Sequence, residues 1–399
     1  MEINQFYIAG KFITPDGKEI IDLINPATEE KVGHVVSGSE KDVNDAVNSA
    51  QHAFTYASSL SLEQKKTILQ EIIDGMDERR EEFAQVISEE MGAPIKVARG
   101  AQFSSGKVHF INTLKVIDGF SFSEVHDNIT LNKLPVGPVG MITPWNWPLN
   151  QMCTKIASAI AAGTSFVLKP SEITPGAAQL FAEVVHKTSM PKGMFNLIHG
   201  YGATVGKAMS QHNDIEMISF TGSTRAGIDI QKTAADTIKR VSLELGGKSP
   251  NIILDDVDLE KAVNMGMKQC FFNTGQSCSS PTRMLIPEAM LDDATKYAVA
   301  AAGSMHTGDP QNEEIFLGPI SNKIQYEKVQ SLIQTGIDEG AKLACGGIGR
   351  PAGLDKGFYV KPTVFTNVNN KMTIAREEIF GPVICLIPYQ DLDEAVKIA

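Results

Sequence analysis

Residues 165–175 read S-F-V-L-K-P-S-E-I-T-P, a short apolar run that passes through a polar turn into a helix start. Ser165 to Leu168 predicts a buried strand because its apolar residues are continuous and bounded by turn residues. Thr174 and Pro175 predict the N-cap and first residue of a helix. A strand followed directly by a helix is the repeating unit of α/β proteins with a largely parallel sheet.

A second unit of this kind lies downstream, where Met217 to Phe220 predicts a strand, T-G-S-T (221–224) a turn and Arg225 the start of a helix. Backbone N–H groups and the helix dipole converge at such a turn and favour an anion. Two such turns are typical of a dinucleotide site. The loop lacks the G-x-G-x-x-G pattern, and glycine in these turns often has a purely steric role, so both interpretations stay open at this point.

The composition limits the size and the class of the protein. A chain of 399 residues exceeds the length at which one hydrophobic core stops growing, so two or more domains are expected. The net charge of -11 and the pI near 5.3 argue against a nucleic-acid partner or an anionic membrane surface. The longest weakly polar run, Ile156 to Leu168, is too short to span a bilayer. A small-molecule substrate fits this composition better.

The five cysteines predict neither a disulfide framework nor a metal site. They are Cys153, Cys270, Cys278, Cys345 and Cys385. Their number is odd and no C-x-x-C pair occurs, which argues against paired thiols and against thiolate zinc ligands. The pattern predicts a reducing compartment and a cytoplasmic protein without a bound metal.

Cys278 lies in a polar segment, C-F-F-N-T-G-Q-S-C-S-S-P-T-R (270–283), after an amphipathic stretch from Asp258 to Phe272 that Gly275 ends as a helix. A thiol there is either a small buried hydrophobe or a nucleophile, since thiolate forms near neutral pH. The glycine, glutamine, serines and proline around Cys278 favour an accessible thiol over a buried one.

Two further motifs carry polar side chains in apolar settings. Residues 241–251, V-S-L-E-L-G-G-K-S-P-N, predict a strand that carries Glu244 into a double-glycine turn. Such a carboxylate either protrudes from an edge strand or has its pKa raised toward the range of a general base. Residues 144–148, P-W-N-W-P, place Asn146 between two indoles, as a functional amide or as part of an aromatic-stiffened turn.

A long helix is predicted from Ser61 to Gly92. Ser61 and Gln64 have capping-box spacing, and apolar residues recur downstream with helical periodicity. A break is expected near Gly75, because glycine weakens a helix interior.

Six motifs together resemble the NAD(P)-dependent aldehyde dehydrogenase superfamily. They are P-W-N-W-P-L (144–149), L-K-P-S-E-I-T-P (168–175), F-T-G-S-T-R-A-G (220–227), L-E-L-G-G-K-S-P (243–250), F-F-N-T-G-Q-S-C (271–278) and E-E-I-F-G-P-V (377–383), in this order. The resemblance runs from N-P-A-T (25–28) to the last residue and implies an α/β fold with a Rossmann-like cofactor domain and an α/β catalytic domain.

The same resemblance implies where the domains lie. The NAD-binding domain is expected at 1–116 and 137–246, a β-hairpin oligomerisation arm at 117–136, and the catalytic domain at 247–399. Members of the superfamily usually continue beyond the point where this sequence stops, so the catalytic domain is expected to be incomplete at its carboxyl end. A homodimer or homotetramer is expected, because an exposed hairpin would leave unpaired ladder groups in solvent.

The resemblance also implies the catalytic roles. Cys278 is expected to attack the aldehyde carbonyl, and Asn146 to hold the resulting oxyanion together with the backbone N–H of Cys278. Glu244 is expected to activate the water that hydrolyses the thioester. A carboxylate base is useful when water is the second nucleophile. A non-acylating dehydrogenase is therefore predicted, which oxidises aldehydes to carboxylic acids with NAD.

The cofactor contacts carry over in the same way. Lys169 and Glu172 resemble the pair that holds the adenosine ribose, and Gly222 and Ser223 resemble the pyrophosphate turn. Trp145 resembles a further cofactor contact, and Glu378 and Phe380 resemble the nicotinamide-side contacts. Since a carboxylate repels a 2′-phosphate, Glu172 predicts a preference for NAD over NADP, which Lys169 tempers.

Other classes stay open on the residues alone. A cysteine acyltransferase or hydrolase would use Cys278 without a dinucleotide, although no histidine lies near Cys278, Glu244 or Asn146 in the sequence. A truncated, non-catalytic NAD-binding relative is the other alternative. Ser277, Ser279 and Trp147 depart from the superfamily pattern near the expected substrate tunnel, so the aldehyde substrate itself stays open.

Overall fold

The computed structural model describes all residues from Met1 to Ala399, and they divide into two compact units. The first unit comprises Met1–Leu23, Lys31–Ile87 and Ala98–Leu245. The second comprises Ile24–Glu30, Ser88–Val97 and Gly246–Ala399. The assignment of cofactor binding and catalysis to separate domains stays a prediction. None of the helices is both long and apolar enough to cross a bilayer.

The strands are β1 (Glu2–Ile3), β2 (Phe6–Ile8), β3 (Lys11–Ile13), β4 (Glu19–Asn25), β5 (Glu30–Ser37), β6 (Ser123–His126), β7 (Ile129–Asn132), β8 (Val139–Ile142), β9 (Phe166–Lys169), β10 (Phe195–Leu197), β11 (Met217–Gly222), β12 (Arg240–Leu245), β13 (Pro250–Ile252), β14 (Arg283–Pro287), β15 (Lys342–Cys345), β16 (Thr363–Thr366) and β17 (Val383–Tyr389).

The helices are α1 (Glu40–Ser58), α2 (Leu62–Glu78), α3 (Arg80–Met91), α4 (Ile95–Val97), α5 (Phe103–Ile117), α6 (Pro148–Ala162), α7 (Gly176–His186), α8 (Lys207–Gln211), α9 (Thr224–Ala235), α10 (Leu259–Phe271), α11 (Leu291–Ser304), α12 (Lys323–Asp338), α13 (Thr373–Arg376) and α14 (Leu392–Ile398). A π-helical turn, Ala98–Gln102, joins α4 to α5, and a second one, Gly202–Gly206, precedes α8.

The first unit is built on a seven-stranded sheet in the order β12-β11-β8-β9-β10-β2-β3. The strands from β12 to β10 are parallel, and β2 and β3 extend the sheet in antiparallel pairing. The chain passes from β8 to β9 and β10 on one side, and then to β11 and β12 on the other. This is the doubly wound order, which opens a crevice at the carboxyl ends of β8 and β11 where the direction reverses. The α/β prediction is confirmed here.

The two strand–turn–helix units form within a residue or two of the predicted positions. Ser223 caps α9, and its hydroxyl accepts a hydrogen bond from the backbone N–H of Ala226. The predicted capping role of Thr174 is wrong, because the residue before α7 is Pro175 and no side chain caps this helix. The Thr174 hydroxyl instead donates to the carbonyl of Trp145, 3.4 Å away.

The long helix predicted after Ser61 is two helices, α2 and α3, with the expected capping box formed by Ser61 and Gln64. The break lies at Arg79 rather than near Gly75. A Cβ at Gly75 would lie 2.7 Å from a methyl carbon of Val184, so the glycine allows α2 and α7 to approach closely. Tertiary packing, rather than backbone flexibility, explains this glycine.

A two-stranded antiparallel hairpin, β6 and β7, lies within the range expected for the arm. Its apolar side chains are exposed, including Val125 at 73% and Ile129 at 65%. The base of the hairpin contacts α2, where the Lys65 ammonium lies 4.9 Å from the ring centre of Phe122. The apolar side chains of the hairpin are therefore exposed to solvent, while its base contacts α2.

The second unit contains a five-stranded sheet in the order β13-β14-β17-β16-β15, parallel except for β15. Apolar clusters cover both of its faces. One cluster packs α10 and α11 against β14 and β17 through residues such as Met267, Phe271 and Leu386. The other packs α12 and α13 through residues such as Ile333 and Phe365. The loop that follows α10 lies in this unit.

Candidate active site

Cys278 lies in a turn that follows α10 in the second unit. Helix α10 begins after its N-cap, Asp258, and ends at Phe271, close to the predicted end. The backbone N–H of Ser280 donates to the carbonyl of Ser277 at 3.1 Å, so Cys278 occupies the first corner of a β-turn. The thiol-bearing residue is partly exposed, whereas Cys270 and Cys385 are fully buried.

The Cys278 loop, residues 272–280, has an unusual backbone. Asn273, Thr274 and Gly275 have consecutive positive φ angles of 55°, 58° and 71°. Non-glycine residues rarely adopt this conformation, and such strain persists only where the surroundings fix it. Strain of this kind clusters at functional sites.

Buried hydrogen bonds fix the Cys278 loop. The side-chain oxygen of Gln276 accepts from the backbone N–H of Ser321 at 2.9 Å. The hydroxyl of Thr274 accepts from the backbone N–H of Gly318 at 3.1 Å. A Cβ at Gly275 would lie 2.2 Å from the carbonyl oxygen of Gly381, so only glycine fits there. The loop is therefore held from three sides within the second unit.

The contact at Gly381 brings the Cys278 loop close to the predicted residues Glu378 and Phe380. Phe380 also has a positive φ, 62°, and its carbonyl accepts from the side-chain amide of Gln325 at 3.1 Å. The Glu378 carboxylate accepts from the backbone N–H of Gly247 at 3.4 Å. Burial raises the pKa of Glu378. The structure thus groups three of the predicted site residues in one unit.

The Asn146 turn lies at the carboxyl end of β8, at the crevice of the doubly wound sheet. Trp145 and Asn146 connect β8 to α6, and Pro148 occupies the first position of that helix. Asn146 is 2% exposed. A buried amide at the start of a helix is in a setting suited to hydrogen bonding with a ligand.

Lys169 and Glu172 lie at the carboxyl end of β9. The Lys169 ammonium is buried and lies 3.5 Å from the Glu172 carboxylate. It also donates to the carbonyls of Pro170 and Gly200, at 2.5 and 2.9 Å. Burial lowers the pKa of Lys169, and the nearby Glu172 carboxylate opposes that change. The two predicted ribose contacts therefore form an ion pair at the carboxyl end of a central strand.

The residues after β11 fit a dinucleotide. Gly222 and Ser223 lie between the strand and α9, and the first turn of any helix leaves N–H groups without intrahelical partners. The hydroxyl of Thr221, just before them, is buried and has no hydrogen-bond partner in the protein. Together with the Lys169–Glu172 pair, this turn supplies the donors and acceptors that phosphate and ribose groups require.

Glu244 lies on β12, the edge strand of the seven-stranded sheet, and its side chain is exposed. The side chain thus protrudes from an edge strand, as one of the two alternatives has it, and its role as a base stays a prediction. Its charge acts on Lys155 of α6, whose ammonium donates to the Ser219 hydroxyl at 2.9 Å. Burial lowers the pKa of Lys155 to about 8, although the Glu244 carboxylate opposes this change.

Sequence reasoning missed Lys155. Lys155 is the only charged residue of α6 and follows Asn146 by nine positions, which is an available signal for it. It also missed Gln102, which is fully buried and whose side-chain amide donates to the carbonyl of Asn146 at 3.0 Å. No sequence pattern points to this contact, because the two residues are 44 positions apart.

Comparison with known proteins identifies the family. Residues 12–399 match the model of the aldehyde dehydrogenase family. The chain is similar to a 3-succinoylsemialdehyde-pyridine dehydrogenase from a Pseudomonas species, with 45% identity over 100% of this chain and 84% of that protein.

Solved structures agree. A cysteine-to-alanine variant of aldehyde dehydrogenase C from Pseudomonas syringae, in complex with NAD+ and octanal, has a TM-score of 0.98 and 49% identity over 99% of this chain and 81% of that chain. The NAD+ complex of an aldehyde dehydrogenase from Bacillus cereus has a TM-score of 0.95 and 34% identity over 99% of this chain and 81% of that chain.

The chain belongs to the aldehyde dehydrogenase family. It is an oxidoreductase that oxidises a small aldehyde to a carboxylic acid, with NAD as its cofactor and a cysteine as its nucleophile. The alternatives of a cysteine acyltransferase or hydrolase and of a non-catalytic relative are not favoured.

Proposed function

We propose that Cys278 is the nucleophile of this dehydrogenase. The observation that carries the proposal is the strained Cys278 loop, in which three consecutive positive φ angles present the cysteine at the corner of a turn. In the proposed first step the sulfur bonds to the aldehyde carbon, and the carbonyl oxygen becomes an oxyanion. The Asn146 side-chain amide and the Cys278 backbone N–H stabilise that oxyanion by donating hydrogen bonds.

Collapse of the oxyanion expels a hydride from the same carbon and leaves a thioester on Cys278. NAD, when bound, accepts that hydride. Lys169, Glu172, Gly222 and Ser223 are the proposed contacts to its adenosine and pyrophosphate portions. Trp145 is proposed as a further contact, and Glu378 and Phe380 as contacts on its nicotinamide side.

Glu244 is the proposed base for hydrolysis. It takes a proton from water as the water oxygen attacks the thioester carbon. The carbon–sulfur bond then breaks, the thiolate is restored and the carboxylic acid leaves. The exposed position of Glu244 on an edge strand supports this role, because a base for water must be reached by water.

For the substrate we propose an aliphatic aldehyde, in line with the general non-acylating class predicted from the sequence. Support comes from the Pseudomonas syringae enzyme, which was crystallised with octanal. The Pseudomonas semialdehyde-pyridine dehydrogenase makes an aryl-substituted semialdehyde the second candidate. Comparing kcat/KM for acetaldehyde, octanal and a pyridyl semialdehyde with NAD decides between them, and a higher value for the pyridyl compound would contradict the proposal.

We also propose that the protein is a homodimer or homotetramer. The exposed apolar side chains of the hairpin support this, including those of its second strand, Ile129–Asn132. Sedimentation velocity of the purified protein tests it, because a monomer at micromolar concentration would contradict it. A cytoplasmic location is proposed from the five free cysteines.

Replacement of the nucleophile tests the central claim. Cys278→Ala should abolish NADH formation while NAD binding stays near the wild-type value, because the thiol forms the covalent bond but contributes little to dinucleotide affinity. Cys270→Ala is the matched control, since burial raises the pKa of Cys270 to about 12 and keeps that thiol unreactive. Substantial turnover by Cys278→Ala in an assay where the wild type is active would remove the proposal.

Replacement of Glu244, the proposed base, distinguishes hydrolysis of the thioester from attack of the cysteine on the aldehyde. Glu244→Gln keeps the shape of the side chain but loses its basicity, so steady turnover should fall by about 10² to 10⁴. A burst of about one NADH per site should remain, and intact mass should detect an acyl group on Cys278. Loss of the burst would assign Glu244 to activation of the thiol instead.

A further inference from the structure

We propose that Gln102 is a positioning residue for the oxyanion-binding amide of Asn146, acting through a buried hydrogen bond to the backbone of the Asn146 turn. This inference rests on the proposed role of Asn146. Gln102 is fully buried, and its side-chain nitrogen lies 3.0 Å from the carbonyl oxygen of Asn146. It touches the backbone of the functional residue and needs no contact with substrate.

The three consecutive carbonyls of this turn each accept a hydrogen bond from a different part of the first unit. The Trp145 carbonyl accepts from the hydroxyl of Thr174, just before α7, at 3.4 Å. The Asn146 carbonyl accepts from Gln102, and the Trp147 carbonyl accepts from the backbone N–H of Gln151 in α6 at 2.9 Å. The Gln102 bond therefore acts on the peptide plane directly after the Asn146 Cα.

The orientation of that plane matters because it sets the ψ angle of Asn146, one of the two backbone angles that direct its side chain. An oxyanion donor is effective only when it is held at the position where charge develops. Asn146 is a non-helical residue, and no helix ladder orients it. A side-chain bond from elsewhere in the unit supplies this constraint.

The local structure around Gln102 supports a specific role. Gln102 is the last residue of the π-helical turn Ala98–Gln102 that leads into α5. A π-helical turn inserts residues into a helix and rotates the side chains on either side, and such turns are frequent at functional sites. The carbonyl of Arg99 in this turn accepts two bonds from the Arg80 guanidinium, at 2.8 and 3.1 Å. The turn is thus held in place, with Gln102 directed at Asn146.

A double-mutant cycle tests the coupling between the two residues. Gln102→Met keeps the side-chain length and removes the donor, and it should lower kcat per titrated active site about tenfold, in line with the cost of a sub-ångström displacement. The KM for NAD should change little. In the Asn146→Ala background, the same substitution should lower kcat by less than twofold, because the amide that Gln102 positions is gone.

Asn196→Leu is the structural control. The Asn196 amide is also buried in the first unit and donates to the carbonyl of Gly193 at 2.7 Å. Its loss should lower Tm without changing kcat per titrated site. Gln102→Asn, which retains the amide but is one methylene shorter, should show a smaller loss than Gln102→Met. If Gln102→Met does not fold, the double-mutant cycle of Gln102→Asn with Asn146→Ala tests the same coupling.

The outcomes separate the inference from the function on which it rests. An equal loss from Gln102→Met in both backgrounds would overturn the positioning role while leaving Asn146 as the oxyanion donor. A change in Tm alone, with kcat per site unchanged, would also overturn it. An Asn146→Ala variant with near wild-type kcat would instead remove the proposed role of Asn146, and the inference with it.

Discussion

The carboxyl edge of the seven-stranded sheet and the Cys278 loop hold their polar residues in opposite ways. At the sheet edge, Asn146, Lys169, Ser223 and Glu244 follow or end successive strands, and regular backbone pairing brings them together. In the Cys278 loop, no regular element sets the position of the cysteine. Strained residues and buried side-chain bonds do so instead.

On the proposed assignment, dinucleotide binding falls to the first region and covalent chemistry to the second, so the two tasks receive different kinds of support. A cofactor is bound by several distributed contacts, which the strand order of a doubly wound sheet supplies together. A nucleophile must be both accessible and fixed, and an exposed turn is fixed only by bonds to its surroundings. The loop should therefore be more sensitive to a single backbone change than the sheet edge is to a single side-chain change.

Among variants that compare the support of these two regions, Gly275→Ala in the Cys278 loop should have the largest effect. The added Cβ would lie 2.2 Å from the Gly381 carbonyl, so the loop must move, and kcat should fall about 10²-fold. Gly340→Ala is the matched control, because Gly340 also has a positive φ, 86°, but no atom lies near its Cβ position. The control should lose about 1 kcal/mol of stability and keep its kcat. Equal kcat in both variants would show that the loop is not rigid.

A smaller effect is expected at the sheet edge, from Glu172→Ser. Removing the carboxylate removes a repulsion of the 2′-phosphate worth about 1 kcal/mol in water-like surroundings and about 4 kcal/mol at an intermediate dielectric. The ratio of kcat/KM for NADP to that for NAD should therefore rise at least about fivefold. Glu63→Ser on α2 removes the same charge from an exposed site and should leave the ratio unchanged. No change in the Glu172 variant would mean that this carboxylate does not face the ribose.

The smallest effect concerns Lys155, which links α6 to β11 through its hydrogen bond to Ser219. Its pKa falls from the usual 10.5 to about 8 on folding, so between these pH values the unfolded chain holds a proton that the folded chain releases. The free energy of unfolding should rise with pH in this window, by up to about 3 kcal/mol relative to Lys155→Met.

Urea unfolding at pH 7.5 and pH 10 measures that difference. The wild type should gain stability between these two pH values, and Lys155→Met should lack this gain. Lys65→Met is the control, since Lys65 is also buried but its ammonium contacts only the Ala161 carbonyl and an aromatic ring. A gain in stability of the same size in Lys155→Met would assign it to another group.

Features that depend on local sequence are predicted well, and features that depend on distant contacts are not. The strand ending at Lys169 and the helix starting after Ser223 were predicted to within a residue or two, because burial and capping are local properties. The sequence predicts a helix break near Gly75, but this glycine serves close packing against Val184. It predicts a helix cap at Thr174, but the Thr174 hydroxyl donates to the carbonyl of Trp145. Both errors concern contacts with residues distant in the chain.

The sequence by itself determined the α/β class, the family, NAD as cofactor and the candidate residues Cys278, Asn146 and Glu244, since short motifs with fixed local conformations carry that information. Only the tertiary structure decided the strand order, the strain of residues 273–275, the exposure of Glu244 and the neighbourhoods of Lys155 and Gln102. The physical reason is that desolvation and side-chain hydrogen bonding depend on which distant segments pack together, and no local pattern encodes that packing.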